Sequence, residues 1–362
     1  MSLVLSPALR AADDKAADAV ENVAAAATPV ATLAPPEAKA PSDVHFSGMV
    51  FGDYYSLAAH HDGRYAGLNG TVLRRLWLTA DKDLGSGFSS RLRFEVNSGD
   101  FTTASAPLTP FMKDAWVRWA YADKQTATLG LIESGAIGFV EKQWGLRSVE
   151  KTPLDLQGWE TTRDQGLSLE GECGKLAYTA VYANGDSLNS QGNDNGKKGL
   201  VAFSAKLPAD LSVFVEGDLK AASTGVASPD PFTYTLQAFL GWKTAPARAG
   251  LLYARQAGAR PAKGDESVKE LLSGYVVAKV WGKASAFARV DHLLWGSLDK
   301  SAEAYLDLAK QRSTVAILGL DYAITPALNL QPNVEMAYYQ NDAGGPIASQ
   351  DVIPRLTFYW QF

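Results

Sequence analysis

The chain has 362 residues, 46% of them hydrophobic and 20% charged, with a formal net charge of −5. It is long enough for one large domain or two ordinary ones, too apolar for a disordered chain, and without the basic excess of a nucleic-acid binder. The single cysteine, Cys173, excludes an internal disulfide framework and a cysteine-rich zinc module, and four histidines leave little for a histidine-based centre, so no metal or other cofactor is expected.

Residues 1–12, MSLVLSPALRAA, join a short apolar run to a small-residue end that resembles a cleavage site. They read as the back half of a secretory signal that starts upstream. Residues 13–43 are rich in Ala, Pro and acidic side chains, and Pro29, Pro35, Pro36 and Pro41 stop any helix begun there. This stretch reads as a periplasmic leader or linker. Its longest uncharged apolar run, 23–36, falls short of the roughly 20 residues a membrane helix needs. The mean hydropathy of −0.10 fits a soluble protein, but equally a transmembrane β-barrel, in which only alternate residues face lipid.

From Val44 onward the pattern has period two, and the C-terminus shows it best. Val352, Pro354, Leu356, Phe358, Trp360 and Phe362 share one strand face; Ile353, Arg355, Thr357, Tyr359 and Gln361 share the other. Such runs last about 11 residues, the length of a tilted membrane-crossing strand, where a soluble sandwich uses about 5–6. Aromatics gather near strand ends (Trp119, Trp242, Tyr322, Trp360 and Phe362), as in the girdles at a membrane interface. The expected fold is all-β: a closed antiparallel transmembrane barrel over 44–362. Sixteen strands are predicted, at 44–57, 68–82, 88–97, 111–121, 125–132, 163–171, 175–184, 198–207, 211–221, 232–242, 247–256, 271–281, 284–294, 313–323, 328–340 and 350–362. Short turns (83–87, 122–124, 174, 208–210, 244–246, 282–283, 325–327) alternate with longer loops, the longest at 133–162. That alternation is the pattern of bacterial outer-membrane barrels, with short periplasmic turns and long extracellular loops. Pro332 and Pro354 fall inside strands, so local bulges are expected there. Arg248 and Arg255 have opposite parity in one strand, so one of them should sit near an interface.

Several of these segments resemble the phosphate-selective porin O and P family. Residues 71–95, TVLRRLWLTADKDLGSGFSSRLRFE, resemble its second and third strands. Asp114-Ala115-Trp116-Val117 resembles its Asp-Ala-Tyr-Val strand, Arg163-Asp164-Gln165-Gly166 its Arg-Asp-x-Gly, and Tyr182-Ala183-Asn184-Gly185-Asp186 its Phe-Asn-Gly-Asp strand end. The terminal Phe362 looks like the C-terminal signature that the barrel-assembly machinery reads. The resemblance covers about 44–362 and implies a sixteen-stranded, trimeric outer-membrane porin with its third long loop folded into the lumen. Outer-membrane lipid, lipopolysaccharide and small hydrophilic solutes are the implied partners, and the outer membrane of a Gram-negative-type bacterium the implied location.

A charge at the lipid midplane costs about 2–4 kcal/mol, so charged strand faces should line the pore. This assigns Arg75, Arg91, Arg93, Glu95, Arg118, Arg289, Asp291, Glu335 and Arg355 to the lumen, with Lys220, Lys279, Asp114, Glu170, Glu216, Asp218 and Asp321 intermixed. They either touch solute or pair with one another to solvate a wet wall. Mixed signs give a transverse field but no large net potential, so the family's phosphate selectivity is not expected to carry over. If the loop folds inward, Glu141, Lys142, Arg147, Glu150, Lys151 and Asp155 form the constriction, and Trp144 and Trp159 favour a packed loop. An enzyme is not expected: catalysis of the nucleophilic kind needs Ser or Cys beside a base, and His45, His60, His61 and His292 offer no such same-face spacing. The main reading is a passive diffusion porin. The alternatives are a plugged barrel serving as adhesin or scaffold and, behind it, a barrel hydrolase. About 20 residues per strand with its connection leave no plug-sized insertion.

Overall fold

The computed structural model describes residues 43–98, 108–134, 136–185, 188, 196–221, 232–259, 266–295, 312–340 and 350–362. The expected signal remnant and nearly all of the expected linker lie outside them. Sixteen antiparallel strands close into one barrel. They are β1 (His45–Ser56), β2 (Asn69–Gly85), β3 (Phe88–Asn97), β4 (Phe111–Ala122), β5 (Gln125–Glu133), β6 (Arg163–Cys173), β7 (Leu176–Ala183), β8 (Lys198–Lys206), β9 (Leu211–Ala221), β10 (Phe232–Lys243), β11 (Ala247–Ala259), β12 (Glu266–Trp281), β13 (Ala284–Trp295), β14 (Arg312–Thr325), β15 (Leu328–Gln340) and β16 (Asp351–Gln361). Every strand pairs with its sequence neighbours, and β1 pairs with β16 from Met49↔Gln361 to Tyr55↔Arg355. Closure leaves no sheet edge, which is what lets a sheet stand in hydrocarbon.

The outer face follows from side-chain parity. Leu92, Leu129, Val201, Val215, Leu251, Val276 and Leu318 project outward and exposed. Aromatics cap this aliphatic band at both heights. Trp119, Trp242, Trp281, Tyr322, Trp360 and Phe362 mark the short-turn end; Tyr54, Tyr182, Phe232, Tyr253 and Tyr338 mark the long-loop end. The short turns fall where the spacing put them. Between β6 and β7, Gly174 adopts φ +64°, a left-handed conformation that suits glycine. At the seam, Phe362 N–H donates to Gly48 O (3.0 Å) and Gly48 N–H to Phe362 O (2.9 Å).

The prolines behave differently from expectation. The β15–β16 ladder passes Pro332↔Leu356 and Val334↔Pro354 with no shift of register. Pro332 instead opens a gap in the β14–β15 ladder between Gly319↔Asn333 and Tyr322↔Leu330. Pro354 lies just past the last regular β1–β16 pair, where its missing N–H costs little. Of the two arginines on β11, Arg255 faces outward at the long-loop end, where it pairs with Glu270 at 2.8 Å; Arg248 faces the interior.

Register shifts do occur elsewhere, several of them beside the short turns, and two of them place a cation on the inner wall. β1–β2 pairing steps from Phe51↔Arg75 to Gly52↔Leu73, leaving Arg74 as the extra residue. β3–β4 pairing steps from Arg93↔Asp114 to Phe94↔Met112, leaving Lys113 extra. A bulge admits one residue to the strand without flipping its neighbours' faces. Arg74 and Lys113 therefore join Arg75 and Asp114 on the inner wall.

Candidate functional site

The connection at 134–162 folds into the barrel. Its first limb is helix α1 (Ala136–Trp144), and a single turn α2 (Pro153–Leu156) follows. Val140, Trp144, Leu146, Val149, Leu154, Leu156 and Trp159 bury themselves against inward apolar residues of β7 to β16, among them Phe214, Phe239, Leu252, Tyr275, Phe287 and Ile317. Phe139 stacks on Phe214 at 4.8 Å, and Trp144 meets Tyr275 edge-on at 5.1 Å. The loop thus has a hydrophobic core of its own inside the barrel. Each large buried side chain contributes about 1.5–3 kcal/mol to holding it there.

Arginines of the wall tie the loop down through its carbonyls and through Glu150. Arg74 donates to Ser148 O (3.2 Å) and Val149 O (2.8 Å), and lies 3.3 Å from Glu150 Oε2. Arg289 donates to Lys151 O, is held by Asp291 at 2.5 Å, and stands 5.3 Å from the Trp144 ring centroid. Arg355 bridges Glu150 (3.3 Å) and Glu335 (2.6 Å). Ser148 Oγ donates to Gln331 (2.7 Å), Arg248 to Trp144 O (3.1 Å) and Gln256 to Trp159 O (3.1 Å). Loop carbonyls that would otherwise be orphaned in an apolar setting are thereby satisfied.

This packing divides the predicted site residues into two sets. Arg289, Asp291, Glu335 and Arg355 point inward as parity required, but the loop covers them: side-chain exposure is 1%, 0%, 0% and 0%. Glu150 of the loop is covered with them. They are anchors of the loop, not open wall. Of the other predicted loop residues, Lys142 is exposed and Glu141, Arg147, Lys151 and Asp155 are partly buried. Arg147 pairs with Glu141 (2.9 Å) and Asp155 (3.0 Å).

The second set lies on β2 to β4. Arg75 pairs with Glu95 (3.2 Å), and Lys113 with Glu95 (3.2 Å). Arg91 grips Asp81 with two bonds of 2.7 and 2.9 Å, Arg93 pairs with Asp114 (2.9 Å), and Arg118 stands 3.7 Å from Glu170. Two inward tryptophans interleave with them. Arg91 and Arg118 lie 5.5 and 4.8 Å from the Trp116 ring, and Arg93 and Arg75 lie 4.5 and 5.7 Å from Trp77. Arg75 interacts electrostatically with Glu141, Arg147 and Asp155, so the loop's charged side faces this wall. The space beside α1 is about 180 Å³, lined by Glu133, Lys142, Glu170, Tyr178 and Ser204 among others.

Arg74 and Lys113 escaped sequence reasoning, because period two sends both outward. The signal was present: a cation on the lipid parity of a mid-length strand is itself a mark of a bulge, given the cost of charge in hydrocarbon. At the long-loop end, His61 of the first long loop bonds Asp351 with its amide (2.6 Å) and its ring (3.0 Å), closing that loop onto β16.

No protein-family model and no curated protein matches the chain. Solved structures with this fold do. An anion-selective porin from Comamonas acidovorans is 12% identical, covering 89% of this chain and 100% of its own, at a TM-score of 0.67. OmpF from Salmonella typhi, in complex with daunomycin, is 11% identical over 88% and 97%, at 0.65. The outer-membrane channel DcaP of Acinetobacter baumannii is 14% identical over 91% and 100%, at 0.63. At such identities the likeness is one of fold.

Proposed function

We propose that the chain is an outer-membrane porin, a passive channel for small hydrophilic solutes or ions. The observation that carries this reading is the inserted loop. Its buried face packs on β7 to β16, and its charged side, with Glu141, Arg147 and Asp155, faces Arg75, one of the cations of the β2 to β4 wall. Opposite charges across a constriction orient a polar solute while giving neither sign a free passage. The anchored set beneath the loop contributes no selectivity. The arginines are matched by carboxylates nearly one for one, which argues against a phosphate-type ladder even if kinship with the phosphate-selective porin O and P family holds. The same resemblance supports a homotrimer and a non-enzymatic role. The test is conductance: the purified barrel in a planar bilayer should give discrete ohmic steps and let small sugars into liposomes. A silent bilayer with impermeable liposomes would favour the plugged adhesin or scaffold.

Orientation is testable with the native thiol. Cys173 is the chain's single cysteine and sits exposed beside the Gly174 turn. Gly63, in the first long loop, has open space around a would-be Cβ. A membrane-impermeant maleimide should label Gly63→Cys on intact cells, spare Cys173, and reach both once the envelope is opened. Labelling of Cys173 from outside would reverse the orientation.

Phe362 is proposed as the assembly signal. Its deletion removes two seam hydrogen bonds, each contributing about 1 kcal/mol, together with an aromatic that lies 4.9 Å from Trp360. Folded, heat-modifiable barrel in outer membranes should fall several-fold. An unchanged yield would leave Phe362 as one more girdle aromatic.

A further inference from the structure

The returning limb of the inserted loop brings Glu160 against β9, where Glu216 and Asp218 lie two residues apart and share the inward face. One carboxylate oxygen from each of the three lies within 4.8 Å of the other two. All three residues are more than nine-tenths buried. No N–H or O–H donor reaches either oxygen of Glu160 or of Glu216. Glu160 is thus a buried carboxyl without an N–H or hydroxyl donor, which the loop aims into a pair of wall carboxylates. Lys198 on β8, 3.3 Å from Asp218, offsets one of the three charges. Removing carboxylates from water costs several kcal/mol each unless something positive repays it.

We propose that Glu160, Glu216 and Asp218 bind a divalent cation of the calcium class, which pins the end of the loop to β9. The donor set is all carboxylate, which suits Ca²⁺, Mg²⁺ or Mn²⁺ and not the softer metals. Calcium–oxygen bonds of about 2.3–2.6 Å allow two ligands of one ion to stand up to about 5 Å apart, the spread seen here. Three carboxylates and one ammonium leave two negative charges, which one divalent ion cancels. Nothing in this depends on whether the barrel conducts.

A proton shared among the carboxylates is the natural competitor of the cation.

Terbium is a calcium-sized probe whose luminescence an adjacent indole sensitises, and Trp159 precedes Glu160. Folded barrel in detergent at pH 7.5 should show saturable, Ca²⁺-displaceable luminescence at one ion per chain. Glu160→Gln keeps the size of the side chain and mimics its protonated form, so the barrel should fold while Tb³⁺ affinity drops at least about tenfold. Trp159→Phe should bind Tb³⁺ with sensitisation lost, which places the ion. Absence of Ca²⁺-displaceable luminescence in the native chain, or affinity undiminished in Glu160→Gln, would overturn the proposal and leave a proton-sharing carboxylate cluster in its place. If Glu160→Gln fails to fold, unchanged sensitisation in Trp159→Phe overturns it equally.

Discussion

Arg355→Ala is expected to destabilise the folded barrel by about 3–5 kcal/mol, the cost of stripping one partner from a buried ion pair. Arg355 is fully enclosed. It reaches Glu150 of the loop at 3.3 Å and Glu335 of β15 at 2.6 Å, and its Nε donates to Asn333 at 3.0 Å. Alanine leaves two carboxylates facing each other, with Arg74 the cation that remains against Glu150. The urea midpoint in detergent micelles, or the temperature at which the folded gel band shifts, measures the loss. A paired variant, Arg355→Met with Glu335→Leu, empties the site of both charges and should recover most of the stability. Wild-type stability in Arg355→Ala, or no recovery in the pair, would show that this contact does not anchor the loop.

Charge reversal at Arg91 and Arg93 is the second large effect. Under a tenfold salt gradient, ideal selectivity is about 59 mV from none. The double change to Glu should move the reversal potential toward cation preference by a fraction of that range. The shift stays moderate because both arginines are already partnered, Arg91 by Asp81 and Arg93 by Asp114. It should grow at low salt, as the Debye length rises from about 10 Å at 0.1 M to about 30 Å at 0.01 M. Leu92, between them, is 49% exposed on the outer face. Leu92→Gln should therefore lower stability and leave the potential alone. An unchanged potential after the charge reversal would place the solute path away from this wall.

The barrel was legible because period two is a local property. Each strand states its own faces, so β15 could be read as Leu328-Leu330-Pro332 outward and Asn329-Gln331-Asn333 inward without knowledge of its neighbours. Strand ends moved by at most a few residues except at β12, whose polar start, Glu266 to Glu270, hides the pattern. What parity could not supply was context. Arg289 and Arg118 look alike in sequence, both inward cations on alternating strands. One is covered by the loop and the other is about a third exposed, because of where a 29-residue connection happens to pack. Pro332 misled, and Arg74 went unread, for the complementary reason. Whether a ladder gaps, bulges or runs on is decided by two strands together, and a single strand's residues carry half of that information.

The apolar seating of the loop puts two different selective regimes inside one barrel. Inward positions of β10 to β13, such as Phe239, Leu252, Tyr275 and Phe287, are constrained as a soluble protein's interior is, by volume and shape. A larger side chain there must be answered by a smaller one at Val140 or Trp144. Positions on β2 to β4, such as Arg75, Arg91 and Arg93, answer instead to pairing with neighbouring carboxylates. Arg74 of β2 also bonds the loop, so a changed loop must keep its apolar seat on one wall and its carbonyls within reach of the other.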